Sequence, residues 1–185
     1  MISEKLNLHL GDYVKITRMV AKDIEETSSG YILDFSDNFA LLHEAGDFTL
    51  DGYMVLPVSQ IKKIRHNKFD KYFKQIMIAE GEAAKVGIHY KIDLSNWQSL
   101  FESIKSAKLN IIVECENPDI DTFTIGPILE TTHNQLLMQN FDAVGILEDE
   151  PVDINFEDIT KVKFDGRYIN VFSKYLRKKR TKNKV

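Results

Sequence analysis

The sequence predicts a mainly β protein with connecting helices, an α+β chain in which one barrel-forming β unit is used twice. Three observations predict it. The chain resembles itself at an offset of 96 residues. Its apolar residues fall in short runs rich in β-branched and aromatic side chains. Between those runs the apolar spacing changes to that of a helix.

The repeat is densest between Ile16 and Leu41. Identities there include Ile16/Ile112, Asp23/Asp119, Gly30/Gly126, Leu33/Leu129, Asn38/Asn134 and Leu41/Leu137. All told there are eight, where average residue usage would give about two by chance. Beyond this stretch the second copy gains about two residues, and Ile61–Arg65 then matches Ile159–Lys163.

In copy one the expected strands are Tyr13–Thr17, Gly30–Phe35, Phe39–His43, Gly52–Leu56 and Ile61–Arg65. In copy two they are Asn110–Glu114, Gly126–Glu130, Gln135–Gln139 and Ile159–Lys163. Asp37-Asn38 and His133-Asn134 suit tight turns, because Asn and Asp bond their own main chain. Five short strands bury little as an open sheet, so closure into a barrel is expected. A glycine at a strand start suits a sharply bent barrel strand. A helical stripe runs from Asp70 to Ala79 through Tyr72, Phe73, Ile76 and Met77, with a break at Gly81. Its counterpart uses Tyr168, Ile169, Phe172, Tyr175 and Leu176. A further helix, 95–107, is predicted from Ser95 as N-cap with Gln98 at N3, and from the apolar face of Trp97, Leu100, Phe101 and Ile104.

These features resemble the Sm-like fold, a strongly bent five-stranded barrel related to SH3-type barrels, and uncharacterised bacterial proteins with a paired-barrel plan. The resemblance implies two tandem Sm-like five-stranded bent barrels. Residues 1–78 would hold the first barrel with a trailing helix, 79–94 a connector, and 95–185 a leading helix, the second barrel and a basic tail. It also implies oligomerisation through barrel edges, with the tandem imitating one such contact inside the chain. Around Gly30 the first Sm motif is matched at Asp37, but Ala40 stands at the place of the Asn that bonds a uracil edge. In copy two Leu136 stands there. The region Leu56–Ile61 lacks the Arg-Gly of the second motif. Reading single-stranded bases needs such polar edges and stacking groups, so that activity is not expected to carry over.

The net charge of −4 is unevenly spread. Lys174, Arg177, Lys178, Lys179, Arg180, Lys182 and Lys184 form a basic tail without an acid. The remainder carries 17 basic against 28 acidic side chains, a net of −11. Such a body repels phosphate backbones. The tail is read first as a solubilising end and alternatively as a contact for nucleic acid or an acidic partner. Phe69, Tyr72 and Phe73 lie among Lys68, Lys71 and Lys74, and their helical spacing favours core packing over a nucleic-acid patch.

Neither a phosphate loop nor a nucleophile elbow is visible. The five histidines show no metal-ligand spacing, and the single Cys115 no cluster, so neither metal nor cofactor is expected. Acidic groups at 148–153 read as a solvated hairpin tip, and those at 23–26 and 116–121, in matching places of the two copies, as solvated loops whose shared acidity is also compatible with a basic partner. No apolar run approaches the roughly 20 residues of a membrane helix, and no signal-peptide plan opens the chain. The expectation is a non-enzymatic cytoplasmic interaction or adaptor protein with an unknown protein partner. The alternative is an RNA-binding regulator using the basic tail.

Overall fold

A computed structural model describes residues 1–177. The elements run α1 (Ile2–Leu8), β1 (Tyr13–Ala21), β2 (Ile24–Phe35), β3 (Phe39–Gly46), β4 (Thr49–Pro57), β5 (Ile61–Arg65), α2 (Lys68–Ala79), α3 (Trp97–Ser106), β6 (Ile111–Cys115), β7 (Thr122–Gly126), β8 (Ile128–Thr131), β9 (Gln135–Met138), β10 (Val152–Asn155), β11 (Lys161–Phe164) and α4 (Arg167–Ser173). The fold is mainly β.

An antiparallel eight-stranded sheet has the order β5-β1-β2-β3-β4-β11-β6-β7, and a three-stranded sheet the order β10-β9-β8. Both sheets have free ends and neither closes into a barrel. This departs from the expected pair of closed barrels. In the first half, curvature does part of what closure would do. Val14 and Ile16 of β1, Ile32 of β2, Ala40 and Leu42 of β3, Met54 and Leu56 of β4 and Ile61 of β5 meet Leu6 of α1 in one core. A sheet whose five strands all reach one small core must curl around it.

β3 and β4 are buried on both faces. Their alternate residues Phe39, Leu41, Tyr53 and Val55 enter a second core with Leu100, Phe101 and Ile104 of α3, Val113 of β6, Leu136 of β9 and Val162 and Phe164 of β11. This two-sided burial explains why β3 reads as a near-continuous apolar run.

Gly30 lies inside β2 rather than at a strand start, paired with Val14 on one side and Glu44 on the other. A Cβ there would stand 2.4 Å from the His43 carbonyl oxygen. At Gly126 a Cβ would stand 2.0 Å from the Gln139 carbonyl oxygen. The two glycines therefore admit the same close approach at positions 96 apart. The halves differ at the next residue. Tyr31 lets β2 run for 12 residues. Pro127, with no N–H to give, splits the corresponding run into β7 and β8.

The helices shift from their expected bounds. α2 begins two residues early, because the Asn67 side chain accepts from Phe69 N (2.9 Å) and Asp70 accepts from Asn67 N (2.9 Å). Its buried residues are Asp70 and Met77, and Phe73 stacks on Tyr13 at 4.1 Å between ring centres. Phe69 and Tyr72 are 65% and 64% exposed, so they do not pack in the core as their spacing suggested. The N-cap of α3 is Asn96, accepting from Ser99 N, and Ser95 bonds Asp93 instead.

Candidate interaction surfaces and side-chain clusters

The join between the halves is the antiparallel pair β4–β11, in the register Tyr53↔Phe164, Met54↔Lys163 and Val55↔Val162. One face of this ribbon is wholly apolar. The other sets Met54, buried in the first core, beside Lys163, whose Nζ is 2.6 Å from Glu44. Past its end Arg167 N donates to Asp51 (2.6 Å), and a Cβ at Gly52 would meet Gly166 N at 2.4 Å.

A second tie is buried. Arg18 follows Val14 and Ile16 on the inward row of β1 and is fully buried. It donates twice to Glu116 (2.7 and 3.1 Å), to the Thr160 carbonyl (2.8 Å) and to Ser28 Oγ (3.4 Å). Thr160 Oγ1 and Lys161 Nζ also donate to Glu116. Burial opposes charge on Glu116. The hydrogen bonds from Arg18 and Thr160 and the charges of Arg18 and Lys161 outweigh it and hold the pKa at about 2. Glu116 is therefore no solvated loop residue. The partners are 98 residues apart, but an arginine on the apolar row of a strand is a signal that sequence reading could have used.

Sheet ends expose backbone groups. The outer side of β7 is covered, since Phe141 N donates to Ile125 O and Asn140 accepts from Ile125 N. The outer side of β8 is covered by α3, whose Lys105 reaches the Leu129 carbonyl. Among the described residues, no backbone hydrogen bond occupies the outer sides of β5 and β10. β5 carries Lys62, Lys63 and Arg65. β10 carries Asp153 and lies between Glu148-Asp149-Glu150 and Glu157-Asp158.

A third cluster forms where α1 turns into β1. His9 closes α1, and Gly11 (φ +78°) completes a turn tied to β2 by Gly11 N→Ile32 O and Ile32 N→Asp12 O. Because β5 pairs antiparallel to β1, the residue after β5, His66, comes back beside Asp12. Asp12 Oδ2 is 3.5 Å from His9 Nδ1 and 3.7 Å from His66 Nε2, and Oδ1 takes Lys74 Nζ at 2.8 Å. Burial opposes charge on Asp12 as well, but the hydrogen bond and charge of Lys74 keep its carboxyl below the usual range. The separation of 57 positions from His9 to His66 hid this cluster from any spacing rule.

Lys174 is exposed just beyond α4. Arg177 is committed to the fold. Its N–H bonds Gly145 O (2.7 Å), its carbonyl accepts from Leu147 N, and its guanidinium bonds Val144 O. Lys178, Lys179, Arg180, Lys182 and Lys184 lie outside the described residues. Cys115 is buried, and burial pushes its thiol up. Among the described residues no helix is long and apolar enough to cross a membrane. No protein-family model, no curated protein and no solved structure matches the chain.

Proposed function

We propose that the protein is a non-enzymatic interaction module, built of two bent Sm-like sheets, which joins further copies of itself by strand addition. The observation that carries the reading is the pair of uncovered edges. Numbering strands within each copy of the repeat, β4 and β11 are strand four of the first half and strand five of the second. They pair inside the chain. The uncovered edges, β5 and β10, are strand five of the first half and strand four of the second. The same kind of join is thus available between molecules, head to tail, and β5 is basic where β10 is flanked by acid. The strand order β5-β1-β2-β3-β4 around one core supports the Sm-like reading of the first half. A single buried, unpaired cysteine suits a cytoplasmic setting.

Sedimentation velocity tests the reading. The full chain is expected to show a mass above the monomer that rises with concentration and falls with salt. Lys62→Glu with Lys63→Glu should yield monomers. So should Asp153→Lys with Glu150→Lys. Mixing the two variants should restore a heterodimer. A monomer at every concentration would sink the proposal.

One observation favours a second reading, an RNA-binding regulator. The exposed face of α2 sets Phe69 and Tyr72 among Lys68 and Lys71, as a stacking platform for single strands requires. Binding of a mixed RNA pool at low salt, lost on Phe69→Ala with Tyr72→Ala, would support it. Loss only on removing residues 178–185 would return the activity to the tail.

A further inference from the structure

The geometry points to a metal site that no spacing in the sequence announces: we propose that His9, Asp12 and His66 bind a first-row divalent cation of the zinc type. The site stands independently of the interaction reading.

One donor atom from each of the three residues lies within 4.8 Å of the others. Tetrahedral bonds of about 2.1 Å set donors about 3.4 Å apart. The distances from Asp12 Oδ2 to the two imidazoles, 3.5 and 3.7 Å, already approach that value. They are also longer than well-formed N–H···O hydrogen bonds, so neither imidazole is held tightly by the carboxylate.

The tautomer of His66 is decided by its other nitrogen. Nδ1 lies 3.0 Å from the Tyr13 carbonyl, which can only accept. Nδ1 therefore carries the proton, and in the neutral ring Nε2 presents a bare lone pair toward Asp12. Orienting a ligand through a backbone carbonyl is how metal-binding histidines are held. Asp12 is oriented in the same way. Lys74 takes Oδ1 and leaves Oδ2 for the cation. The main chain on either side is fixed, Asp12 by its bonds to β2 and His66 by the strand before it and the Asn67 cap after it. The rings of His9 and His66 lie 4.7 Å apart at 38°, so both imidazoles stand side by side next to Asp12.

Two imidazoles and one carboxylate select a borderline cation. Calcium and magnesium demand mainly oxygen donors. Three protein ligands leave a fourth position for water or an incoming ligand. Lys74 offsets the charge of Asp12, so the protein sets the affinity partly through that lysine.

The test uses the full chain after chelator treatment, titrated with Zn2+ in a calorimeter and with Co2+ in an absorption spectrometer. One equivalent should bind, Co2+ should show the visible bands of a four-coordinate site, and excess Mg2+ should not compete. His9→Ala and His66→Ala should each weaken binding by more than the 10- to 100-fold typical of losing an outer partner. Lys74→Met removes an outer partner of Asp12 together with a competing cation, so it should weaken binding by no more than the roughly 10- to 100-fold of an outer partner, and by less than either histidine variant. His9 is a half-buried residue at the end of a short helix, so its variant should keep the wild-type circular dichroism. Absence of one-to-one binding overturns the proposal. So does full binding by both histidine variants, and so does a Lys74→Met loss as large as theirs.

Discussion

Arg18 is a full charge on a strand row otherwise made of Val14, Ile16 and Val20. Such a charge is tolerable only when most of its donors are met, and here Glu116, Thr160 and Ser28 meet those of the two Nη atoms while Nε has no partner. Arg18→Met leaves Glu116 buried without its main partner and should destabilise the fold by about 3 kcal/mol in urea unfolding. Adding Glu116→Leu should recover most of that loss, since a matched apolar pair needs no solvation. Recovery of nothing would mean that the pair has no special coupling. The same carboxylate sets an acid limit. Its pKa falls from the usual 4.5 when unfolded to about 2 when folded. A depressed acid contributes stability above its unfolded pKa, here about 3 kcal/mol, and loses it as pH falls from about 5 toward 2. Midpoints across that range should drop in the wild type and stay flatter in the double variant.

At the level of elements, local chemistry explains what could be foreseen and what could not. The strand runs were legible because alternation and β-branched content report burial directly. The repeat was legible because it needs no geometry. Strand ends were not, since Ala21, Ile24 and Thr49 extend the hairpins through pairing with a neighbour rather than through their own preference. The split at Pro127 follows from one missing donor in an otherwise repeated pattern. For α3 the Ser-x-x-Gln pattern named Ser95, while the neighbouring Asn96 is the residue with extended backbone whose oxygen reaches Ser99 N. Two adjacent capping residues are equivalent in sequence, and only the chain entering from Asp93 decides between them. Asn96→Ala should therefore cost about 1 kcal/mol, as lost caps do. Ser95→Ala should cost a few tenths at most, measured in the same denaturant series. The reverse order would restore the sequence-based cap. The clusters joining His9 to His66 and Arg18 to Glu116 were illegible because strand pairing makes them, and a linear pattern carries no pairing.

Across the whole molecule the decisive feature is the sharing of β3 and β4. Ala40, Leu42, Met54 and Leu56 serve the first core, and Phe39, Leu41, Tyr53 and Val55 serve the second. Neither half can lose its core without exposing a face of the strands that the other half uses. The β4–β11 ladder and the Arg18–Glu116 tie act in the same direction, as does the packing of Ile88, Tyr90, Ile92 and Leu94 from the connecting segment onto the second core. Two covalently linked but independent modules would melt separately. Here the cost of opening the second half includes stripping Tyr53 and Val55, so both should unfold together. Calorimetry should give one transition whose van't Hoff and calorimetric enthalpies agree, under conditions that keep the chain monomeric. Val162→Asp, placed at the centre of the ladder, should lower that single midpoint without splitting it. A wild-type melt in two steps, or a variant that unfolds residues 95–177 while β1–β5 keep their protection from hydrogen exchange, would show that the shared strands do not couple the halves.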